Sequence, residues 1–154
     1  MKFLIAAFWI AVAIGLTDVP ATAQSANSSP DIYLYSRAQA EFDQSVKEVL
    51  FPWNDHTAPD DMSPVQANAS WLKEHSDIYF YVDGYASTRG DLIYNLALSQ
   101  RRADYIRQQL IDSGVPENRI LLAVGWGELY PVCPEENDEC WSKNRRVRLT
   151  YGHQ

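Results

Sequence analysis

The order of elements legible in the chain, β-α-β-α-β-β, predicts an α+β fold: a two-layer sandwich with two helices on one face of a mixed sheet. Three stretches carry this expectation. Residues 79–112, YFYVDGYASTRGDLIYNLALSQRRADYIRQQLID, read as a strand, a tight turn and a long amphipathic helix. Residues 120–124, ILLAV, are a short apolar run between turn signals, the pattern of a well-buried strand. Finally, Arg146, Arg148 and Thr150 alternate with Val147, Leu149 and Tyr151, as in a strand with one wet face.

Residues 1–23 read as a targeting segment rather than as part of the fold. Lys2 supplies a positive start, residues 3–16 are apolar, and Ala21-Thr22-Ala23 before Gln24 matches an A-x-A cleavage site. The apolar run is short of the roughly 20 residues that a bilayer span requires, which sets a cleaved signal peptide ahead of an uncleaved anchor. No cysteine near the cut offers a point for lipid attachment. The expected mature chain is therefore exported and has no transmembrane span. Its length suits one domain with a single core.

With 13 Lys and Arg against 20 Asp and Glu, the formal charge is −7, which argues against nucleic acid and anionic lipid as partners. Two cysteines in an exported chain, Cys133 and Cys140, are expected to form a disulfide.

Residues 24–45 form a lead-in to a domain expected over residues 46–152. Its first part, residues 24–30, is rich in Ser, Asn and Ala and is expected to be disordered. Residues 31–43 mix Ile32, Tyr33, Tyr35 and Phe42 with polar side chains. Periodicity leaves open whether this stretch docks on the domain or contacts a partner.

Residues 46–53 predict the first strand, ended by Pro52, which has no N–H to donate to a ladder. Ser63 and Pro64 suit the N-cap and first position of a helix that buries Val65, Ala69 and Leu72 and ends near His75. After the second strand, Gly84 and Gly90 bracket a polar turn, and Asp91 is placed to cap the long helix. Leu92, Leu96, Ala103, Ile106 and Leu110 predict the buried face of that helix. Asn95, Ser99 and Arg102 form a second stripe beside it. An amide, a hydroxyl and a guanidinium in a row are either a grip for a carboxylate or a polar shoulder that caps loops. Gly114 and Pro116 end the helix.

The run GYASTRGDLIYNLALSQRRA resembles the signature of the OmpA-like, peptidoglycan-associated domain, G-H-T-D-x-x-G-x-x-x-Y-N-x-x-L-S-x-x-R-A, through Gly84, Gly90, Tyr94, Asn95, Leu98, Ser99, Arg102 and Ala103. Gly125, Gly127, Glu128, Pro131 and Asn144-Arg145-Arg146-Val147 resemble the family's G-x-G-E-x-x-P and N-R-R-V elements. The resemblance implies a periplasmic protein of a Gram-negative bacterium, associated with the cell wall and outer membrane. It also implies a site for the diaminopimelate of a peptidoglycan stem peptide. Arg102 would anchor the carboxylate through its planar fork, Asn95 would support it, and Asn144 and Arg145 would buttress or line the cleft.

The chain departs from the family pattern where the ligand's ammonium would be met. Ser87 stands at the turn aspartate, Tyr85 at the histidine, and Pro52 at the first aspartate of F-D-F-D. A serine brings no charge, and charge-assisted hydrogen bonds are roughly twice as strong as neutral ones. Asp83 and Asp91 flank the turn as candidate replacements. Two readings follow from the resemblance: noncovalent peptidoglycan binding with an altered site, or a protein–protein module of an envelope complex that no longer binds the wall.

Nothing in the chain predicts an enzyme or a cofactor. Ser87 is not in a G-x-S-x-G elbow, and His56, His75 and His153 lack metal spacing. Glycine placement does not form a phosphate loop. The four acids between Cys133 and Cys140 lack the order of a calcium loop and read as a solvated loop.

Overall fold

The computed structural model describes residues 30–152. The expected signal peptide and residues 24–29 of the lead-in, for which disorder was expected, lie outside the described residues. Four strands form one mixed sheet: β1 (Val49–Leu50), β2 (Tyr79–Gly84), β3 (Ile120–Gly125) and β4 (Arg146–Gly152), in the order β1-β4-β2-β3. Strand β4 runs antiparallel to both β1 and β2, and β3 runs parallel to β2. A parallel pair needs a long crossover, and helix α3 (Leu92–Asp112) supplies it. Helices α1 (Pro30–Ser45), α2 (Ser63–Glu74) and α4 (Asp138–Asn144) complete the architecture. The α+β sandwich is as expected, with two helices beyond the pair that periodicity predicted.

The first additional helix, α1, docks on the core. Its Phe42 is fully buried, with its ring 5.7 Å from those of Trp71 and Tyr151 and 6.5 Å from that of Phe80. Tyr35 packs edge-on against Tyr151 at 5.3 Å. The second, α4, lies within the acidic loop, where Asn137 caps it by accepting from the Cys140 N–H, and Asp138 and Glu139 occupy its first turn. Acids there interact favourably with the positive end of the helix dipole.

Strand β1 is shorter than expected. Phe51 still receives a ladder bond, its N–H donating to the Arg145 carbonyl at 2.9 Å. Beyond it Pro52 has no N–H, and Asn54 turns the chain at a φ of 59°. Helix α2 begins at Ser63 with Met62 at the N-cap, so Ser63 is not the cap. Instead, the Asp61 carboxylate accepts the Ser63 N–H at 2.8 Å. The expected end at His75 holds.

In α3 the buried side chains are Asn95, Leu98, Ser99, Arg102, Ala103, Ile106 and Leu110. Leu92 and Leu96, expected inside, are about half exposed, at 54% and 45%. The positions 95, 99, 102, 106 and 110 form one continuous stripe. Its first half is polar and its second apolar, so hydrophobicity alone assigns the wrong residues to the first two turns. The helix also approaches β2 closely. A Cβ on Gly84 would lie 2.1 Å from the Ser99 carbonyl oxygen, a separation only glycine permits.

Strand β4 differs from its expected pattern at one end. Arg148 is exposed, but Arg146 is only 3% exposed. Its guanidinium lies 3.9 Å from the Tyr85 ring centroid, and its Nε is 3.4 Å from the Glu48 carboxylate. The aromatic at the position of the family histidine thus covers this end of the strand. Among the described residues no helix is long and apolar enough to cross a membrane.

Because Phe42 is fully enclosed, Phe42→Ala is expected to cost about 3–5 kcal/mol of stability. Urea denaturation measures this, and a loss below about 1 kcal/mol would show that α1 is not part of the cooperative core.

Candidate binding cleft

The turn after β2, the start of α3 and the loop after β1 enclose a cleft of about 330 Å³. Local chemistry builds each wall. Asp91 caps α3 as expected, its carboxylate accepting from the N–H groups of Ile93 at 2.9 Å and Tyr94 at 3.2 Å. Gly90 has a φ of 117°, which side chains rarely adopt, and lets the turn enter the helix. Ser99 locks the loop after β3 onto the helix. Its hydroxyl accepts from the Gly127 N–H at 2.8 Å while donating to the Leu96 carbonyl at 2.8 Å.

Arg102 lines the cleft and is fully buried. Its Nε donates to the Asp55 carbonyl at 2.7 Å, Nη2 to Pro52 at 2.9 Å and Nη1 to Tyr85 at 3.2 Å. Its guanidinium carbon is 5.1 Å from the Phe51 ring centroid. Burial pushes its pKa down to about 10, and the positive charge of Arg145 adds to the lowering. The group therefore stays charged at neutral pH. A guanidinium has five N–H donors, and each of its three nitrogens is engaged with a backbone carbonyl.

Of the remaining expected residues, Ser87, Asn95 and Arg145 also line the cleft. Ser87 is buried, and its carbonyl accepts from Asn95. The Asn95 amide nitrogen donates to the Ser87 carbonyl at 3.1 Å and to Glu128 Oε2 at 2.9 Å, which holds turn and loop together. Arg145 donates from Nε to the Phe51 carbonyl at 3.0 Å, and burial lowers its pKa. Asn144 does not line the cleft. Its Oδ1 accepts from the N–H groups of Val132 and Cys133 at 2.9 and 3.1 Å, and its Nδ2 donates to the Cys133 carbonyl at 2.7 Å. It is a clamp on the loop that precedes α4.

Neither candidate replacement for the missing turn acid reaches the cleft. Asp83 lies on the other side of the sheet, where it accepts from Trp126 Nε1 at 2.8 Å and Thr150 Oγ1 at 2.7 Å. Asp91 is engaged as the helix cap. No carboxylate lines the cleft.

Sequence reasoning missed Arg89 and its two aromatic neighbours. Its guanidinium carbon lies 5.2 Å from the Trp53 ring centroid and 5.3 Å from that of Trp141, and Asp138 is 3.8 Å away. Arg89 immediately precedes Gly90 in the polar turn, a sequence signal that marks it only once Trp53 and Trp141 are known to converge there. Cys133 and Cys140 are joined in a disulfide, as expected, with Cα atoms 4.9 Å apart. The bond ties the loop to α4, which presents Trp141 and leads directly into Arg145.

Two stability predictions follow from these contacts. Reducing the disulfide is expected to cost about 2–3 kcal/mol, given its short loop; thermal melts with and without reductant measure this. Arg102→Lys is expected to destabilise about as much as Arg102→Ala, because a point charge on a flexible stem does not reproduce three divergent carbonyl bonds. Full retention of stability by lysine in urea titrations would contradict that account of Arg102.

The chain matches the OmpA family over residues 57–146. It is 33% identical over 117 residues to the peptidoglycan-associated lipoprotein of Rhizobium meliloti, across 75% of this chain and 66% of that protein. It is 39% identical over 88 residues to the peptidoglycan-associated lipoprotein of Brucella melitensis, across 57% of this chain and 52% of that protein. The chain thus spans about half to just under two thirds of the length of these relatives. The crystal structure of the peptidoglycan-associated lipoprotein from Burkholderia pseudomallei superposes with a TM-score of 0.64 at 32% identity, covering 69% of this chain and 90% of that one. The C-terminal domain of Helicobacter pylori MotB shares the fold, with a TM-score of 0.63 at 20% identity over 71% and 86% of the two chains. With the family's signature spread over the turn, the long helix and the last strand that together enclose the cleft, this chain belongs to the OmpA family.

Proposed function

We propose that this protein is a non-enzymatic envelope protein of a Gram-negative bacterium that binds peptidoglycan noncovalently from the periplasm. The ligand is a stem peptide, held by the carboxylate of its diaminopimelate in the cleft beside α3. The observation that carries the reading is the convergence of Arg89, Arg102 and Arg145 on one cleft in a chain of formal charge −7. A local cationic site within an acidic surface is what a specific acidic ligand requires, since the general field offers no attraction to polyanions. Arg102 is held rigid by three carbonyls and fixes the loops that form the cleft wall, so little ordering cost remains when a ligand arrives. The relatives named for association with peptidoglycan support the same assignment.

The alternative, a protein–protein module, would be favoured by exposed aromatics ahead of β1. Phe42 instead is buried in this domain's own core, and Tyr35 packs edge-on against Tyr151.

Sedimentation with isolated sacculi tests the reading. Wild-type protein is expected to pellet with the wall and to be released by rising salt, which screens the carboxylate contacts. Arg145→Ala is expected to weaken binding by about ten- to a hundredfold, the range for one lost charge-assisted bond. Wild-type protein that stays in the supernatant at low salt would refute wall binding.

A further inference from the structure

The mouth of the cleft carries a feature that a carboxylate site does not require. Trp53 lines the cleft yet is 61% exposed, although burying so large an apolar side chain is favourable. The Arg89 guanidinium lies over its ring and over that of Trp141. A ring has two faces, so a cation over one leaves the other to solvent. Trp141 is held in place by its Nε1, which donates to Thr88 Oγ1 at 3.3 Å, and by the disulfide at the base of its helix. Polar groups surround the rings. The ion pair of Arg89 with Asp138 is loose at 3.8 Å, beyond hydrogen-bond reach, and both side chains are more than half exposed. Both therefore keep hydrogen-bonding capacity for a ligand, donors on one and acceptors on the other. Asn54 also lines the cleft. Its Oδ1 accepts from the Tyr94 hydroxyl, which leaves its amide N–H groups as donors beside Trp53.

Exposed flat rings bordered by donors and acceptors suit a sugar. The C–H groups on one face of a pyranose are apolar and pack on an aromatic ring, while its hydroxyl and acetamido groups project sideways and need hydrogen bonds. An anion alone has no use for two indoles, and an aliphatic side chain has none for the polar groups beside them. Resting on the stem-peptide reading above, we infer that Trp53, Arg89 and Trp141 form a second subsite, which takes an N-acetylated sugar of the glycan strand that bears the stem peptide. Continuity commits the site to this occupant. Trp53 and Arg145 line one cleft, and the few residues between the middle of a stem peptide and its sugar span on the order of 10 Å when extended. The arginine and asparagine donors match the acetamido carbonyl, and Asp138 is placed to accept from a hydroxyl. Because the sugar is uncharged, its contacts are insensitive to ionic strength, whereas the carboxylate contacts are screened by salt.

The test follows tryptophan fluorescence while the purified protein is titrated with a chitin oligosaccharide, an uncharged and peptide-free chain of N-acetylglucosamine, and separately with free stem peptide, alongside the sacculus assay. The oligosaccharide is expected to change the emission saturably and with the same affinity at low and high salt, while stem-peptide binding weakens as salt rises. Trp53→Ala is expected to weaken oligosaccharide binding by about tenfold, the scale of one aromatic anchor, and Trp53→Phe to recover part of the loss; thermal melts establish that both variants are folded. Undiminished oligosaccharide binding by Trp53→Ala would overturn the assignment to this rim. No saturable response to the oligosaccharide from a protein that still pellets with sacculi would overturn the sugar subsite and leave wall binding intact. Oligosaccharide binding with no binding of stem peptide would keep the sugar subsite and overturn the diaminopimelate reading. Failure with oligosaccharide, peptide and sacculi would overturn the two readings together.

Discussion

The three hydrogen bonds from Arg102 to the carbonyls of Pro52, Asp55 and Tyr85 hold the cleft in existence. They join the loop after β1, the turn after β2 and the middle of α3, segments that share no strand ladder at this point. Placing a charge there is costly, and burial accordingly depresses the guanidinium's pKa. Three carbonyl dipoles and the Phe51 ring face offset that cost. The fork geometry of guanidinium suits this task, because its donors diverge in one plane and reach several acceptors at once. Arg119 repeats the device at the other end of the fold, donating to the carbonyls of Leu72, His75 and Ile78 at 2.6, 2.6 and 2.8 Å. Two buried guanidiniums thus fasten the helical layer and its loops at both ends.

The same helix serves the core and the cleft through one stripe of side chains. Its C-terminal half, Ala103, Ile106 and Leu110, is buried among apolar groups under the sheet. Its N-terminal half, Asn95, Ser99 and Arg102, satisfies the backbone of the turns that pass over it. Loops cannot be buried unless their polar groups find partners, so this half of the stripe has to be polar. Close backbone approach completes the arrangement. Gly125, like Gly84, comes so near α3 that a Cβ would lie 2.2 Å from the Gln100 nitrogen. The ends of the parallel strands are thereby drawn against the helix start, where the cleft opens.

Electrostatics separates this cleft from the surface around it. The chain as a whole is acidic, yet the cleft gathers three arginines from the β2–α3 turn, from α3 and from the start of β4. Trp53 and Trp141 flank Arg89 at the rim, where ring quadrupoles attract the cation and leave its N–H groups available. The disulfide and the Asn144 clamp fix the loop that delivers Trp141 and Arg145. A short acidic loop that looks unremarkable in composition therefore supports one wall of the site from behind.

Local signals were enough for much of this protein. Aromatic and alternating runs and helical spacing placed β2, β4 and α3, and an apolar run placed β3, although as an edge strand it is not the well-buried one expected, with Leu122 56% exposed; Asp91 capped where a carboxylate before a helix should, and the cysteine pair closed. Spacing alone left the stripe of Asn95, Ser99 and Arg102 open between a ligand grip and a polar shoulder; only the family resemblance pointed to a cleft beside it. What depended on tertiary structure was every decision about which side of an element faces protein. Leu92 and Leu96 turned outward because buried loop backbone needed Asn95, Ser99 and Arg102 inside. Arg146 was buried by Tyr85, a contact between separate elements that no alternation pattern encodes. Asn144 became a loop clamp, Phe42 drew α1 onto the sheet, and Arg89 met tryptophans from distant segments on either side in the chain. Caps and periodicity are properties of neighbours in sequence, whereas burial, counterions and the shape of a cleft arise only when remote segments are brought together.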